Sequence, residues 1–269
     1  MFLITFILFA LVLLIFFAVN DRLAVRYYEI NSNELNDCIR IAFVADLHSC
    51  YYGEGQAELL DRINAQQPDL ILLGGDIVDD KLPRQNAIIV LKALAEKYPC
   101  FYVSGNHEFW SGEVDRIKQM IAGYGITILE GQNQVITING QLLNICGIDD
   151  AEIGAESYMQ QIVKADHQTE PDLFTIFMAH RPEYIDTYLQ YDFDLILSGH
   201  AHGGQWRIPG VLNGFISPNQ GFFPEYAGGE YVFDHQTFIV SRGLAKESTR
   251  VPRIFNPPEL VIIDIVPTN

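Results

Sequence analysis

The chain of 269 residues sets 34 Asp and Glu against 17 Lys and Arg, a formal net charge of −17, with 49% of its residues apolar. That acidic excess excludes nucleic acid as a partner, because phosphate backbones demand basic surface, and excludes adhesion to anionic lipid by charge. The four cysteines (Cys38, Cys50, Cys100 and Cys146) lack CxxC spacing, which argues against a zinc knuckle or disulfide framework and for buried thiols.

Residues 1–19, MFLITFILFALVLLIFFAV, are apolar except for Thr5. As a helix rising ~1.5 Å per residue they reach ~28 Å, close to the hydrocarbon thickness of a bilayer. A cleaved signal peptide would need a basic start and a small-residue cut site, and neither is clear. A single-pass N-terminal transmembrane anchor is therefore expected. Arg22 and Arg26 follow it with no basic residue before it, which tilts the domain toward the cytoplasm, but Asp21 and Glu29 dilute them and leave the face open. A polar connector is expected over 20–38 and one domain over 39–269.

Strands and helices then alternate. RIAFVAD, PDLILLGGD and CFYVSGN read as strands, followed by helices near Glu54–Asn64, Arg84–Lys97 and Gly112–Gly123. This is the rhythm of a sheet flanked by helices. From Thr127 to Ile148 shorter strands alternate around an Asn-Gly turn, a hairpin signal. LFTIFMAH and DLILSGH restore the first style, and EYVFDHQTFIVSRG and ELVIIDIV close the chain with strands.

The chemistry collects at strand ends. The first strand delivers Asp46 and His48, the second Asp76, the third Asn106 and His107, and the later ones His180, then His200 and His202. Five of the seven histidines are thus placed where open α/β sheets build their sites. Carboxylate, imidazole and amide oxygen together suit Mn(II), with Fe or Zn(II) admitted, and no thiolate selects zinc alone. The ligands are too many for one ion and enough for two if one carboxylate bridges. Two ions ~3.5–4 Å apart form the clamp for in-line displacement at phosphorus.

These elements read Asp46-x-His48, Gly75-Asp76-x-x-Asp79, Gly105-Asn106-His107-Glu108, His180 and Gly199-His200-x-His202. In that order they resemble the signature of the calcineurin-like metallophosphoesterases, over about residues 40–267. The resemblance implies an α/β fold, an αββα four-layer sandwich of two central sheets with helices outside. It implies Asp46, His48 and His202 on a first ion, Asp76 as bridge, and Asn106, His180 and His200 on a second. His107 would contact the scissile phosphate and protonate the leaving oxygen, and the nucleophile would be a hydroxide on the ions. Asp79 would orient His107, or else cap the next helix.

The segments GHAHGGQWRIP, PNQGFFPEYAGGEY, VSRGL and PPELVIIDI are similar to the membrane-associated or exported bacterial branch, the YkuE/YaeI-like subgroup. That branch includes enzymes acting on phosphodiesters and on the diphosphate of UDP-2,3-diacylglucosamine. The expected substrate is therefore a phosphorylated small molecule or a lipid-linked diester or diphosphate. Phe215, Phe222, Phe223 and Tyr226 sit on a Gly/Pro-punctuated loop after the GHxH pair, either to shelter acyl chains or to pack on the sheet. The competing readings are a phosphomonoesterase or protein phosphatase of the same fold, and a non-catalytic metal-binding scaffold. Arg242, Arg250 and Arg253 are candidates to neutralise phosphate. Asp149 and Asp150 read as a turn, Cys50 as a bystander, and His167 and His235 as solvated.

Overall fold

A computed structural model describes residues 5–6, 9, 15–246 and 251–268. The first sheet takes β1 (Ala24–Ser32), β2 (Ile39–Val44), β3 (Leu70–Gly74), β4 (Cys100–Val103), β5 (Thr127–Ile128) and β14 (Glu259–Pro267), in the order β1-β14-β2-β3-β4-β5. The second takes β6 (Gln132–Ile138), β7 (Gln141–Gly147), β8 (Thr175–Met178), β9 (Leu195–Ser198), β12 (Gly229–Phe233) and β13 (Gln236–Val240), in the order β12-β13-β9-β8-β7-β6. A two-stranded ribbon, β10 (Ile216–Ser217) with β11 (Gly221–Phe222), stands apart. Both sheets are mixed: β2, β3 and β4 run parallel and β14 opposes β2, while β7, β8 and β9 run parallel and β6 opposes β7.

Alternation along the strands makes the layers. Ile41 and Phe43 of β2 turn toward the second sheet and meet Ile145, Ile176, Met178 and Leu197. Their neighbours Ala42 and Val44 turn the other way, under the helices α1 (Ala57–Gln66), α2 (Gln85–Ala95) and α4 (Val114–Ala122). Phe177, Ile196 and Phe238 of the second sheet turn outward under α5 (Ala155–His167) and α6 (Ile185–Tyr188). Full burial of each such large apolar side chain contributes about 1.5–3 kcal/mol. The result is the expected four-layer α/β sandwich.

The three expected helices lie where the sequence places them; α5 and α6 were not foreseen, nor was the short helix α3 (Asn106–Trp110), directly on the GNHE motif. The connector is a correction. The middle of 20–38, Ala24–Ser32, is β1, the edge strand of the first sheet, paired in parallel with β14 from Ala24↔Glu259 to Ser32↔Pro267. Ile30 and Ser32 are buried and Tyr28 packs on the core, so the YYEIN stretch alternates like a half-buried strand although its composition is polar. Among the described residues no helix is long and apolar enough to cross a membrane. Of the expected anchor, residues 1–4, 7–8 and 10–14 lie outside the described residues.

Candidate metal centre

All five ligand-bearing turns leave the carboxyl ends of parallel strands, β2, β3 and β4 on one sheet and β8 and β9 on the other, so both sheets feed one cleft. Asp46 with His48 and His202 forms one cluster, and Asp76 with His180 and His200 another, each with its candidate ligand atoms within 4.8 Å. Between them, Asp76 Oδ2 lies 3.5 Å from His48 Nε2 and 3.2 Å from His180 Nε2. Asp46 Oδ1 lies 3.8–4.0 Å from the Nε2 atoms of His48, His180 and His202.

Backbone strain marks these turns. Asp46, His48, Asp76, His200 and His202 all have positive φ, between 48° and 65°. Such left-handed residues cost about 1–3 kcal/mol each and persist only where the surroundings fix them. Here Asp46 N donates to Gly75 O, His48 N to Asp76 O, and His200 N to both oxygens of Asp46. A Cβ on Gly105 would stand 2.2 Å from Asp76 Oδ1, so only glycine lets that loop pass. Gly243, in the VSRGL segment, plays the same part against Asp46, with φ +70° and a Cβ that would lie 2.5 Å from Asp46 Cβ.

The outward side of three of the imidazoles is spoken for. His48 Nδ1 meets Asp79 Oδ2 at 3.0 Å, His180 Nδ1 donates to Gly74 O at 2.8 Å, and His200 Nε2 meets Asn219 Oδ1 at 2.9 Å. Such partners fix ring orientation and leave the other nitrogen for a metal. The inward atoms His48 Nε2, Asp76 Oδ2, Asn106 Oδ1, His180 Nε2 and His202 Nδ1 are buried and make no hydrogen bond. Buried polar groups are almost always satisfied. Five orphans converging on one cleft, all of types that coordinate first-row cations, fit two divalent ions.

Titration follows the same geometry. Burial opposes the ionisation of Asp76, but the neighbouring imidazoles of His180, then His48 and His107, hold its pKa well below the usual carboxylate range. Burial raises Asp46. Burial also drives His200 and His202 well down, leaving them neutral as ligation requires. His180 goes the other way: burial would lower it, but Asp76 and Asp46 push it up to about 10.

His107 stands at the rim of the cleft, its ring edge-on to His48 with centroids 4.3 Å apart and tilted on Trp110 at 4.9 Å. Its backbone N–H donates to Asp76 Oδ1. Its Nδ1 lies 3.4 Å from Asp79 Oδ2 and 2.7 Å from Asp80 Oδ1. Asp80, unforeseen in the sequence, is thus the nearer partner. Asp79 divides itself between His48, His107 and the backbone N–H groups of Lys81 and Leu82, so it braces the imidazoles and closes a turn but does not cap the next helix, whose N-cap is Arg84. Burial would lower the His107 pKa, but the bond to Asp79 and the carboxylates of Asp76, Asp79 and Asp80 raise it to about 9.

Other residues build the frame. Glu108 is fully buried and accepts from the backbone N–H groups of Asp76, Ile77, Val78 and Gly105, tying the second ligand turn to the third. Asp149 and Asp150 are more than a turn: Asp149 accepts from Ser104 and pairs with Lys118, while Asp150 takes Arg181 bidentately. Arg181 lies beside His200, Nη1 to Nε2 3.5 Å. The candidate phosphate arginines are partly engaged, although Arg242 Nε and Arg253 Nη1 have no hydrogen-bond partner among the described residues. Arg242 is paired with Glu259, Arg253 donates to the carbonyls of Ala245, Arg242 and Gly243, and Arg250 lies outside the described residues. Cys50 is buried and accepts the Lys246 N–H, and His167 and His235 are exposed, as expected.

Comparison with known proteins agrees with this geometry. A family model described as calcineurin-like phosphoesterase matches residues 39–204. The chain is 31% identical over 235 residues to the phosphodiesterase YaeI of Escherichia coli, covering 84% of this chain and 82% of YaeI. It is 29% identical over 240 residues to the uncharacterized metallophosphoesterase YkuE of Bacillus subtilis, covering 87% and 81%. Against two Helicobacter pylori metallophosphoesterases it spans about half of their length, 47%. Among solved structures, the Haemophilus influenzae NAD nucleotidase shares the fold at TM-score 0.54 and 16% identity, over 77% of this chain and 45% of that one.

Proposed function

The chain belongs to the calcineurin-like phosphoesterase family, and on that premise we propose that it hydrolyses a phosphodiester or diphosphate bond with two divalent ions, Mn(II) first. The observation that carries this reading is the convergence of buried, unpartnered ligand atoms on one cleft with His107 at its rim. Asp46, His48 and His202 would hold one ion, Asn106, His180 and His200 the other, and Asp76 would bridge. Two ions held there would supply Lewis acidity at phosphoryl oxygens and activate a water.

The chain's own residues do the rest. His107, kept protonated near neutrality by its carboxylate neighbours, donates a proton to the leaving oxygen. Asp80 and Asp79 hold Nδ1, which turns Nε2 toward the substrate. A scaffold role is disfavoured because no ligand type in the cleft is missing and His107 would stand idle. We further propose attachment to a membrane through residues 1–19 and a lipid-linked substrate, of which UDP-2,3-diacylglucosamine is one instance, on the strength of that apolar stretch and of the resemblance of the motif segments to the membrane-associated branch of the family.

The test is turnover of phosphomonoesters, diesters and nucleotide diphosphate-lipids by the full chain in detergent with Mn(II) supplied. Preference for diesters or diphosphates is expected. A preference for monoesters or phosphopeptides would replace this reading with the phosphatase one.

A further inference from the structure

Beside the metal cleft the acidic protein presents an apolar face built from a stretch, 206–223, that holds no acidic residue and one basic one, Arg207. From Ile208 to Pro224 the sequence holds no charged side chain, although the chain as a whole carries −17. Trp206, Ile208 and Val211 are exposed, Val211 by 81%, and Phe222 and Phe223 by 65% each. Their undersides are organised: Phe215 stacks on Trp206 at 5.5 Å, and Phe222 and Phe223 pack edge-on against Phe215. Tyr226, by contrast, packs down onto Phe238 and belongs to the core. Between the two runs of loop lies a largely apolar groove of about 210 Å³, walled by Trp206, Ile208, Leu212, Phe215, Ile254 and Phe255, with Arg207 as its one charged wall residue.

This face is joined to the cleft on one side and to the N-terminal segment on the other. Asn219, between the two aromatic runs, holds His200 Nε2, and Asn256, next to Phe255, donates to His202 O. On the far side Ala18 is buried, and its carbonyl accepts the Phe255 N–H at 2.7 Å. The apolar residues before it, Ile15, Phe16 and Phe17, are exposed. The chain therefore enters the folded domain on the wall of the groove, with only residues 20–23 between Val19 and β1. No long tether intervenes.

We infer that the 206–223 face is seated on the lipid bilayer, placing the mouth of the metal cleft at the headgroup level. This deepens the proposed membrane attachment and rests on it. Loop aromatics and aliphatics enter the boundary between headgroups and acyl chains to about 5–10 Å, and Trp favours that depth. An acidic protein has nothing to gain from lipid charge, so the face it turns to the membrane must be the one without acidic residues. That orientation brings a lipid-borne phosphate to the ions without its leaving the bilayer.

The test uses the full chain in phosphatidylcholine vesicles, with Cys38→Ser as background and a nitroxide on Val211→Cys or, as control, Leu142→Cys. Leu142 is equally an exposed apolar residue but starts β7 at the end of the sandwich away from the ligand turns. Flotation first checks attachment, and protein that stays with the aqueous fraction overturns both the attachment and this inference. With attached protein, the Val211 label is expected to show severalfold higher oxygen-to-nickel-chelate accessibility than the Leu142 label. A Val211 label as open to the chelate as Leu142 overturns the inference while the anchor stands. Shielding from both reagents also overturns it, since protein then covers the face.

Discussion

The two sheets furnish unlike halves of the metal centre. The first contributes every clustered carboxylate, Asp46, Asp76, Asp79 and Asp80, together with His48 and His107; the second contributes three imidazoles, His180, His200 and His202. Protons are held on the carboxylate side, where His107 is raised to about 9, and shed on the other, where burial depresses His200 and His202. His180 is the exception because it leans across to Asp76. The difference is one of charge: the carboxylates and the raised His107 stand on one half, and His200 and His202, lowered by burial, on the other.

Asp76 is where the halves meet, so its loss should cost most. We expect Asp76→Ala to lower metal content from two ions per chain and to reduce turnover to background, measured by metal analysis and by rate on a diester. A variant that retains two ions and full rate would break the division at its centre. His107→Gln should do the converse, keeping both ions while slowing esters with poor leaving groups by ~10²–10⁴-fold, the usual contribution of a general acid. Nitrophenyl esters, whose leaving group needs little protonation, should suffer less, and equal losses on both substrates would contradict the acid role.

Within the carboxylate half, Asp79 and Asp80 separate two tasks. Asp80 touches His107 and no clustered ligand histidine, whereas Asp79 also braces His48. Asp80→Asn should therefore lower turnover by ~10–100-fold with metal affinity intact, and Asp79→Asn should weaken metal affinity by a similar factor as well. Metal titration alongside rate distinguishes them. If both variants lose metal equally, His107 is braced through the metal site rather than by Asp80.

What was legible in the sequence divides along the same physical line. The ligands lie in turns of two to five residues after apolar strands, where spacing alone exposes them. The braces do not: Asp80 reaches His107 from 27 residues away, Glu108 reaches Asp76 from 32, and Arg181 reaches Asp150 from 31. Only the packed sheets bring such pairs together, so Glu108 reads in the sequence as a motif letter and Asp149 and Asp150 as a turn. β1 was hidden for a different reason. Its exposed face is polar because it is an edge strand, and composition outweighed its alternation.

The smallest expected effect lies at the opposite end of the second sheet, where a carboxylate has neither metal nor histidine cluster to answer to. Asp194 opens the turn into β9 and accepts the Thr175 N–H, and burial pushes its pKa up to about 6. A raised carboxylate pKa means that the folded state takes up a proton more readily than the unfolded chain. Its ionisation thus costs stability, and that cost grows as pH rises from the unfolded value near 4 through 6, then stays constant. Asn keeps the acceptor oxygen without the charge. Asp194→Asn should therefore melt at the same temperature as the parent below pH 4 and higher than the parent at pH 8. A gain of ~2–4 °C corresponds to each kcal/mol recovered at this chain length. Because every other titrating group is common to both proteins, the difference between the two curves isolates Asp194. A gap independent of pH would show an unshifted carboxylate, and a variant that melts lower than the parent at pH 8 would show that the ionised form is favoured there.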